Sequence, residues 1–506
     1  ELKAEQETQG YDFTSDTDTE VIAHAIHKAL KNSSTLLEAT QKAIQTFKGA
    51  YGVGVISPKD PKCIIAARSG SPLIIGLSDK GNFIASDQMA LLDITKEFIF
   101  LEEGDIAEIT LKSVTIYDKD GNKVEREIKI SKLKSGQVSK RGYDHYMLKE
   151  IFEQPQAIRD TLESRITKDT VLTSAFGHEA KQIFKDTKQI QIIACGTSYN
   201  AGLVAKYWLE DIAKIPAHIE VASEYRYRQP IVLDNTLFIT ISQSGETADT
   251  LEALKAVKKY NTNIHSLAIC NTAESSLTRE SELTFLTHAG PEIGVASTKA
   301  FTTQLVSLAL LSVAIGKCHN QVSKQQELKI VGGLNRLPGL IKKTLEQEDQ
   351  IIELAKTFKN KFNAIFLGRG TMHAVAMEGA LKLKEISYIH AEAFPAGELK
   401  HGPIALIDKD TPVIAVAPND RLLDKLKSNL QEVKSRGSEM IVFEDENAKV
   451  ESMKGMTIIP TTADLGRITA PIIFTIPLQL LSYHVAIIKG TDVDQPRNLA
   501  KSVTVE

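Results

Sequence analysis

A short polar segment directly after an apolar, strand-like run is the part of this sequence best suited to chemistry. Residues 237–241 form a mostly apolar run typical of a buried strand, and Ala248–Tyr260 has helical periodicity. Between them lie Ser242, Gln243, Ser244, Gly245 and Thr247. Hydroxyl, amide and backbone N–H donors at a strand-to-helix turn suit a phosphate group. Because the segment contains no Lys or Arg, neutral donors would bind this phosphate. The alternative is a serine-rich helix cap without a ligand, but the density of donors favours a phosphate site.

Two more polar turns occur in the same part of the chain. Gly196, Thr197 and Ser198 follow another apolar strand, and residues 294–299 precede the apolar run 301–315. Each turn alone is explained equally well by helix capping. Three of them within one strand-and-helix region favour a phosphorylated ligand with several hydroxyl groups.

Candidate acid-base groups lie further along the chain. Glu378, Lys382 and Glu385 share one face of a helix, because they are four and three residues apart. A surface ion-pair helix is the alternative, but the apolar neighbours predict burial, and a shielded carboxylate can act as a base towards a carbon acid. His401 lies in a Gly/Pro turn, where it is either a proton-transfer group near neutral pH or a solvated loop histidine.

The last residues of the chain, 492–506, show no helical face. An unstructured tail is the ordinary expectation. The alternative is a docked tail, held by Pro496, Arg497, Leu499, Val503 and Val505, that places Lys501 in a site. A desolvated lysine there could form a Schiff base with a sugar ketone.

Composition excludes several classes of protein. The chain has 506 residues, 42% hydrophobic and 25% charged, with a net charge of −4, which is typical of a globular protein of about three domains. Because the basic residues are dispersed, we expect no nucleic-acid partner. We also expect no membrane span, since the longest apolar run, 470–481, contains two prolines and is typical of a buried core. Four scattered cysteines predict neither a metal site nor disulfides, and so a cytoplasmic protein.

The elements that must position these residues change character along the chain. Residues 1–133 combine a helical stretch at 20–47 with short alternating runs, which predict an antiparallel sheet covered by helix. Residues 134–145 are polar and predict a linker. From residue 146 strands alternate with helices, which predicts doubly wound parallel sheets, with one domain at 146–320, a second at 321–490 and a tail at 491–506.

The strand-and-helix part of the chain appears twice. Residues 192–199 match 365–372, and residues 237–242 match 412–417 at nearly the same separation. The second copy lacks the polar phosphate segment but carries Glu385 and His401. We therefore expect one copy to bind the anion and the other to supply acid-base groups at a shared boundary.

These motifs together resemble the glutamine:fructose-6-phosphate amidotransferase family over essentially the whole chain. The matching segments are TDTE at 17–20, GAYG at 49–52, ARSGSPL at 67–73, CGTS at 195–198, SQSGET at 242–247, EIGVASTK at 292–299, KLKEIS at 382–387, GELKHGP at 397–403 and the tail. The resemblance implies an α/β architecture of two tandem doubly wound sugar-isomerase (SIS) domains. It also implies that residues 1–133 are the C-terminal part of an α+β N-terminal-nucleophile glutaminase domain.

The resemblance also implies roles for individual residues. Lys501 would form an imine with open-chain fructose 6-phosphate, Glu385 would move a proton between C1 and C2, and His401 would assist ring opening, from either the same or a neighbouring subunit. Asp18 would bind the amino group of glutamine. The implied contacts to the sugar phosphate are Ser198, Ser242, Gln243, Ser244, Thr247, Val295, Ser297, Lys382, Arg497 and Ala500.

The resemblance implies further general properties and one departure. No cofactor or metal is expected; the expected ligands are fructose 6-phosphate, glutamine and glucosamine 6-phosphate, and the expected assembly is a homodimer. The family's nucleophile is an N-terminal cysteine, whereas this sequence begins with Glu1 in a helix-like stretch. We therefore expect the sequence to be the later part of a longer chain. Two other functions stay open: a tandem-domain sugar-phosphate isomerase or deglycase, and a sugar-phosphate sensor, which would need neither Glu385 nor Lys501.

Overall fold

A computed structural model describes residues 2–15, 17–131, 139–261, 263–463 and 465–503. It divides into two compact units, one comprising Glu1–Ser139 with Val503–Glu506 and the other Lys140–Ser502. Part of the predicted linker, 134–145, lies outside the described residues, and helix α4 begins directly after it, at Tyr146. Each unit is described separately below.

The first unit consists of antiparallel strands and three helices. The helices are α1 (Leu2–Thr8), α2 (Asp18–Leu30) and α3 (Leu36–Ile44). The strands are β1 (Tyr51–Ser57), β2 (Asp60–Ser69), β3 (Ile74–Ser78), β4 (Gly81–Ala85), β5 (Glu97–Phe100), β6 (Ile106–Ile109), β7 (Val114–Tyr117), β8 (Lys123–Val124) and β9 (Ile128–Ile130). They form two sheets, with strand orders β1-β2-β6-β7-β8 and β4-β3-β5-β9.

The two antiparallel sheets of the first unit share a core. Ile75 and Ile99 of one sheet pack with Ala66 and Ala107 of the other, while α2 and α3 cover the opposite face of β1 and β2. Such α+β packing agrees with the fold class predicted from the sequence. The single helical stretch predicted at 20–47 is wrong, because α2 ends at Leu30 and Thr35 caps a new helix by accepting a hydrogen bond from the Glu38 N–H.

The second unit contains two five-stranded parallel sheets. The strands of the first are β10 (Gln189–Ala194), β11 (Ala217–Val221), β12 (Thr236–Ser242), β13 (His265–Cys270) and β14 (Leu283–Leu286). Those of the second are β15 (Asn363–Gly368), β16 (His390–Pro395), β17 (Val413–Ala417), β18 (Met440–Glu444) and β19 (Met456–Pro460). The orders are β11-β10-β12-β13-β14 and β16-β15-β17-β18-β19. Because the two orders are equivalent, the duplication predicted from the sequence is confirmed.

Helices cover both sheets of the second unit. They are α4 (Tyr146–Leu162), α5 (Ala180–Asp186), α6 (Gly196–Trp208), α7 (Ala222–Tyr225), α8 (Ala248–Tyr260), α9 (Ser276–Glu280), α10 (Lys299–Cys318), α11 (Lys324–Leu345), α12 (Glu348–Ala355), α13 (Thr371–Ser387), α14 (Leu423–Lys434) and α15 (Thr469–Lys489). One apolar core includes Ile192 and Ile239 of the first sheet and Phe366 and Ile414 of the second. The boundary predicted at residues 320 and 321 falls between α10 and α11, and this core continues across it.

Helices α10 and α15 are the most apolar in the chain. Both are long and apolar enough to cross a membrane, but 89% of each apolar window is buried inside the protein. In α15 this window includes the run 470–481, which the sequence predicts to be core, and that prediction is confirmed. The two helices therefore have the burial of core helices.

Candidate functional site

Two of the three polar turns lie at the carboxyl edge of the first parallel sheet. Strands β10 and β12 are neighbours in this sheet, although β11 lies between them in the sequence. The turns that follow them contain Ser198 and residues 242–247. Such a reversal of strand order leaves a crevice at the strand ends, where open α/β sheets bind their ligands.

The turn after β12 is held in shape by its own hydroxyl groups. The Ser242 hydroxyl lies 3.1 Å from the Thr247 hydroxyl and accepts a hydrogen bond from the Gly245 N–H at 2.9 Å. Gly245 has a φ of +70°, and a Cβ there would lie 2.0 Å from the Ser275 Oγ. Thr247 precedes α8 without capping it through its side chain. The first turn of α8 therefore lacks the cap that its N-terminal threonine could provide, as an anion site requires.

The remaining predicted residues of this turn are partly accessible. Gln243 and Ser244 are half-buried. The Gln243 carbonyl accepts the Asn271 N–H, which fixes the backbone of the turn to the neighbouring strand end. The Ser244 hydroxyl lies 2.9 Å from the hydroxyl of Ser502, the residue after Lys501. This contact connects the predicted phosphate segment to the tail.

The turn after β10 connects the two copies of the repeat. Ser198, buried at the start of α6, accepts a hydrogen bond from the Gln304 amide at 3.0 Å. Thr197 and Asn200 donate hydrogen bonds of 3.0 and 2.8 Å to the two carboxylate oxygens of Glu378, on α13 of the second copy. The two halves therefore share one polar cluster, as the sequence led us to expect.

Three charged groups on α13 form the centre of this cluster. The Lys382 ammonium lies 2.7 Å from Glu385 and 3.4 Å from Glu378, and it donates a hydrogen bond to Thr197 at 3.0 Å. Glu378 and Lys382 are each only 1% exposed, whereas the Glu385 side chain is 22% exposed. The predicted burial is confirmed, and a surface ion-pair helix is excluded. Glu385 is therefore the most accessible member of the trio.

Burial and pairing act in opposite directions on these groups. Burial raises the pKa of the Glu378 carboxyl, and the Lys382 ammonium only partly offsets the effect. For Lys382, burial would lower the pKa, but the carboxylates of Glu378 and Glu385, with a contribution from Glu292, raise it well above the ordinary value for lysine. Lys382 is therefore a fixed cation at neutral pH.

The loop before α10 holds the predicted imine-forming lysine. The Lys501 ammonium donates hydrogen bonds to the Glu292 carboxylate at 2.6 Å and to the Gly294 carbonyl at 2.8 Å. Glu292 is buried and also accepts the N–H groups of Thr298 and Ala300, both at 2.9 Å. Burial opposes its ionisation, but Lys501 and these donors overcome the effect and lower the pKa of Glu292 to about 2. Val295 and Ser297, in the same loop, are half-buried.

The tail is docked, although not by all the residues predicted from the sequence. Val493 and Pro496 are buried, whereas Leu499 is 45% and Val503 58% exposed, so their predicted anchoring role is wrong. Val505 lies outside the described residues. The carboxylate of Asp494 accepts the N–H groups of Tyr146 and Met147 at the start of α4, at 2.8 and 3.0 Å. A carboxylate at a helix N-terminus is a more specific anchor than an exposed valine.

Two other predicted tail residues have exposed positions. The Arg497 guanidinium lies 4.1 Å from the centre of the Tyr388 ring, and the Arg497 N–H donates a hydrogen bond to the Tyr388 hydroxyl. Ala500 is exposed directly before Lys501. Arg497 thus fixes the tail to the residue that ends α13.

One predicted residue, His401, is not brought to this cluster within the described part of the chain. His401 is exposed at the end of the 3-10 turn Ala396–His401, which packs against α14 and β16. Among the described residues it makes no hydrogen bond or ion pair with Glu385 or Lys501. The Asp18 side chain lies outside the described part of the structure, so its predicted glutamine contact stays a prediction.

Several polar groups of the cluster were missed by our sequence reasoning, namely Glu150, Asn200, Glu292, Gln304 and Asp494. A signal was available for one of them. Glu150 lies on the apolar face of α4 between Met147, Ile151 and Gln154, all buried, and a carboxylate on such a face is unusual. The acceptors for the α4 N-terminus come from the tail, more than 300 positions away, which no local pattern indicates.

The assembled groups define what the site can do chemically. It contains an amine, an accessible carboxylate beside a fixed cation, and a turn of neutral donors. Within the described residues, no group of three His, Cys, Asp or Glu side chains could hold a metal ion. The set suits imine formation and carbon-acid proton transfer on a phosphorylated carbonyl compound.

Family models match most of the chain. Residues 183–314 and 357–489 each match the model described as an SIS domain, and residues 1–93 match the glutamine amidotransferase domain. The two SIS matches cover the two parallel sheets, and the third match lies in the first unit.

Curated relatives are similar over the whole chain. The glutamine–fructose-6-phosphate aminotransferase (isomerizing) of Pseudomonas putida is 56% identical over 508 aligned positions, which cover 100% of this chain and 82% of the relative. The enzyme of the same name from Haemophilus influenzae is 54% identical, with coverages of 100% and 83%. These relatives support the aminotransferase interpretation over the isomerase, deglycase and sensor alternatives.

Solved structures extend the similarity to the fold. The C-terminal domain of glucosamine-fructose-6-phosphate aminotransferase from Francisella tularensis has a TM-score of 0.69 and 53% identity, and covers 71% of this chain and 100% of its own. A glucosamine-6-phosphate deaminase from Thermotoga maritima has a TM-score of 0.56 and 25% identity, with coverages of 71% and 99%. Taken with the full-length relatives, these similarities show that the chain belongs to the family of isomerizing glutamine–fructose-6-phosphate aminotransferases.

Proposed function

We propose that the chain converts fructose 6-phosphate to glucosamine 6-phosphate in the cytoplasm, with nitrogen from glutamine, at the cluster formed by the two parallel sheets. The observation that carries the proposal is the position of the tail. Ser502 contacts Ser244 of the polar turn, and the preceding Lys501 contacts Glu292. One short segment thus connects the proposed anion site to an amine that is paired with a buried carboxylate.

The proposed substrate contacts follow from the types of donor present. Ser242, Gln243, Ser244 and Thr247 would bind the phosphate with the N-terminus of α8, since a hydroxyl can donate where no cation is near. Ser198, Val295 and Ser297 would contact the sugar chain, together with the backbone at Ala500. Lys382 and Arg497 would add positive charge on the α13 side.

Lys501 is the proposed nucleophile. Its ammonium must lose a proton to solvent before the nitrogen can attack the C2 carbonyl. The Glu292 carboxylate, 2.6 Å away, is too weak a base to take that proton and instead holds the amine in place. Attack and loss of water give an imine at C2. An incoming ammonia can then displace the lysine, which leaves the nitrogen on C2 and regenerates the free amine.

Glu385 is the proposed base for the isomerisation. A nitrogen on C2 makes the hydrogens on C1 more acidic, so a carboxylate can remove one and return a proton to C2. The C1 hydroxyl then becomes the aldehyde of glucosamine 6-phosphate, and atoms balance without an oxidant. Lys382, fixed beside Glu385 at 2.7 Å, would hold this carboxylate in position for the transfer.

The remaining assignments extend the proposal to other parts of the chain. His401, exposed in this chain, would assist ring opening in the site of a neighbouring subunit of a homodimer. Asp18 would bind the glutamine amino group. The reaction as proposed uses no cofactor, since imine formation and the proton transfers need only the amine, the Glu385 carboxylate and water.

The phosphate assignment is tested by removing single hydroxyl donors. Thr247→Ala and Ser244→Ala should each weaken fructose 6-phosphate binding by about 1.5–3 kcal/mol, the value of a hydrogen bond to a charged group. Calorimetry measures the affinity, and far-UV circular dichroism shows whether the fold is kept. Ser428→Ala, at an exposed position of α14, is a matched control. Unchanged affinity in both site variants would contradict the assignment.

The chemical roles are tested separately from binding. Borohydride with fructose 6-phosphate should trap an adduct that mass spectrometry locates on Lys501, and Lys501→Arg should abolish it because a guanidinium does not form the imine. Glu385→Gln should keep binding but lose hydrogen exchange at C1, followed by NMR in deuterated buffer. An adduct on another lysine, or exchange at the wild-type rate, would remove the corresponding role.

A further inference from the structure

Helix α4 connects the tail to the loop that holds Lys501. At its first turn, the Asp494 carboxylate accepts the N–H groups of Tyr146 and Met147. The backbone carbonyl of Asp494 accepts the Val295 N–H at 3.0 Å. Through Asp494, the tail therefore contacts both the start of α4 and the loop at 292–295.

One turn along α4, Glu150 makes the contact between this helix and the loop. Its Oε1 atom accepts the Ile293 N–H at 2.5 Å and the Gly294 N–H at 3.3 Å. Its Oε2 atom is buried without a hydrogen-bond partner among the described residues. The side chain is 1% exposed. A buried carboxyl group that accepts two consecutive backbone N–H groups fixes the path of that backbone.

Glu150 contacts the backbone next to the two groups that bind the Lys501 ammonium. Ile293 and Gly294 follow Glu292, whose carboxylate binds the Lys501 ammonium, and the Gly294 carbonyl accepts the second hydrogen bond of that ammonium. A Cβ on Gly294 would lie 3.1 Å from the Glu150 Oε2 atom. Loss of Glu150 would therefore free the backbone at Ile293 and Gly294, which follows Glu292 and carries the carbonyl that binds Lys501, without removing any group that contacts Lys501.

We propose that Glu150 is a positioning residue for the imine-forming lysine: it fixes the backbone at Ile293 and Gly294 and thereby sets the place of the Lys501 amine. The inference rests on the proposed function of Lys501. Glu150 would influence imine formation through geometry and would have no contact with the phosphate turn.

The charges around Glu150 decide which substitution tests this role. Glu292, Lys501 and Lys299 face it from the loop, the tail and α10, and Lys149 and Glu153 are its neighbours on α4. Burial, and then the nearby Glu292 carboxylate, raise the pKa of Glu150 to about 8. At neutral pH its side chain is thus mostly a neutral acid, which an amide can replace with the same shape and an acceptor oxygen in the same place.

The experiment compares the rate of borohydride trapping on Lys501 in four proteins. In Glu150→Ala the rate at saturating fructose 6-phosphate should fall on the order of tenfold to a hundredfold, because small misplacement of a reacting group has that effect. Glu150→Gln should stay within about threefold of the wild type, since its amide oxygen keeps both backbone contacts. Glu150→Asp, one methylene shorter, should behave like the alanine variant and replaces it if that variant does not fold. Affinity for fructose 6-phosphate should be nearly unchanged in all of them.

A matched control separates positioning from general loss of stability. Thr161→Ala removes a buried side chain on the same helix that donates a hydrogen bond to the Ala157 or Thr287 carbonyl, away from the loop at 292–295. It should lower stability but not the trapping rate. Equal rates in Glu150→Ala and the wild type, or an equal loss in Thr161→Ala, would overturn the inference and leave the proposed function intact. Absence of an adduct on wild-type Lys501 would overturn the proposed function and this inference with it.

Discussion

Replacement of Gly245 by alanine tests whether the polar turn after β12 is a rigid, preformed site. Gly245 has a φ of +70°, which costs a residue with a Cβ about 1–2 kcal/mol. The added Cβ would also lie 2.0 Å from Oγ and 2.4 Å from Cβ of Ser275. Ser275 cannot retreat easily, because its side chain accepts the Thr278 N–H at the start of α9. Overpacking of this kind costs about 1–3 kcal/mol, so the total expected loss is about 2–5 kcal/mol.

A second glycine provides the control for backbone strain alone. Gly437, after α14, has a φ of +84°, but a Cβ there would meet nothing within 4 Å. Gly437→Ala should therefore lose only about 1–2 kcal/mol. The difference between the two variants measures the overlap with Ser275 and with Cys270, whose Sγ would lie 2.7 Å from the added Cβ. Ser275→Gly in the Gly245→Ala background should remove the larger part of it, which is due to Ser275.

The stability of this unit can be followed through one fluorophore. Trp208 is the only tryptophan of the chain and is 2% exposed at the end of α6, so its emission during urea denaturation reports on Lys140–Ser502. Calorimetry with fructose 6-phosphate gives the effect on binding, which should be large only for Gly245→Ala. Equal losses of stability in the two variants, or unchanged affinity in Gly245→Ala, would refute the close packing of the turn against α9.

Three more predictions address buried charges and the tail. Lys382→Met should lower the free energy of unfolding by about 3–5 kcal/mol, because it leaves Glu378 buried without its cation. Adding Glu378→Gln should recover part of the loss. Urea denaturation of both variants measures the change, and an unchanged stability of Lys382→Met would contradict the prediction. Asp494→Ala should cost about 0.5–2 kcal/mol at the α4 N-terminus and speed tryptic cleavage after Lys501, whereas unaltered cleavage would argue against Asp494 as the anchor. Glu150 binds its proton more tightly in the folded than in the unfolded state. From about pH 4.5 to pH 8 the wild type should therefore lose stability relative to Glu150→Gln as the pH rises. If the difference in unfolding free energy between the two proteins does not change over that window, the acid is ionised in the folded protein.

The sequence was sufficient for the parts of the fold that depend on local pattern. Apolar runs of strand length alternating with amphipathic helices predicted both parallel sheets, and the duplication followed from two matches at nearly one separation. The polar turns after β10 and β12 indicated a common ligand because the parallel strands of one sheet end at the same edge. That these two strands are neighbours was shown only by the structure. Burial of Glu378 and Lys382 followed from the apolar residues beside them on α13.

The parts that the sequence did not reveal depend on contacts between distant segments. Nothing near Asp494 indicates that it binds the start of α4, and nothing near Glu292 indicates that a lysine of the tail neutralises it. The break between α2 and α3 was missed because the periodicity continues on both sides of Thr35. The local sequence of His401 also did not reveal its position. It is exposed and, among the described residues, makes no hydrogen bond or ion pair with Glu385 or Lys501.

The duplication explains why the two halves of the second unit depend on each other. Glu378 belongs to the second copy, but its carboxylate oxygens are satisfied by Thr197 and Asn200 of the first. Lys382 likewise donates to Thr197, so separation of the copies would leave a buried carboxylate and a buried ammonium with unsatisfied groups. The same polar contacts that position Glu385 therefore hold the halves together. Divergence could therefore leave the polar turn of residues 242–247 in one copy and the charged trio of Glu378, Lys382 and Glu385 in the other, because the cluster is built from both copies.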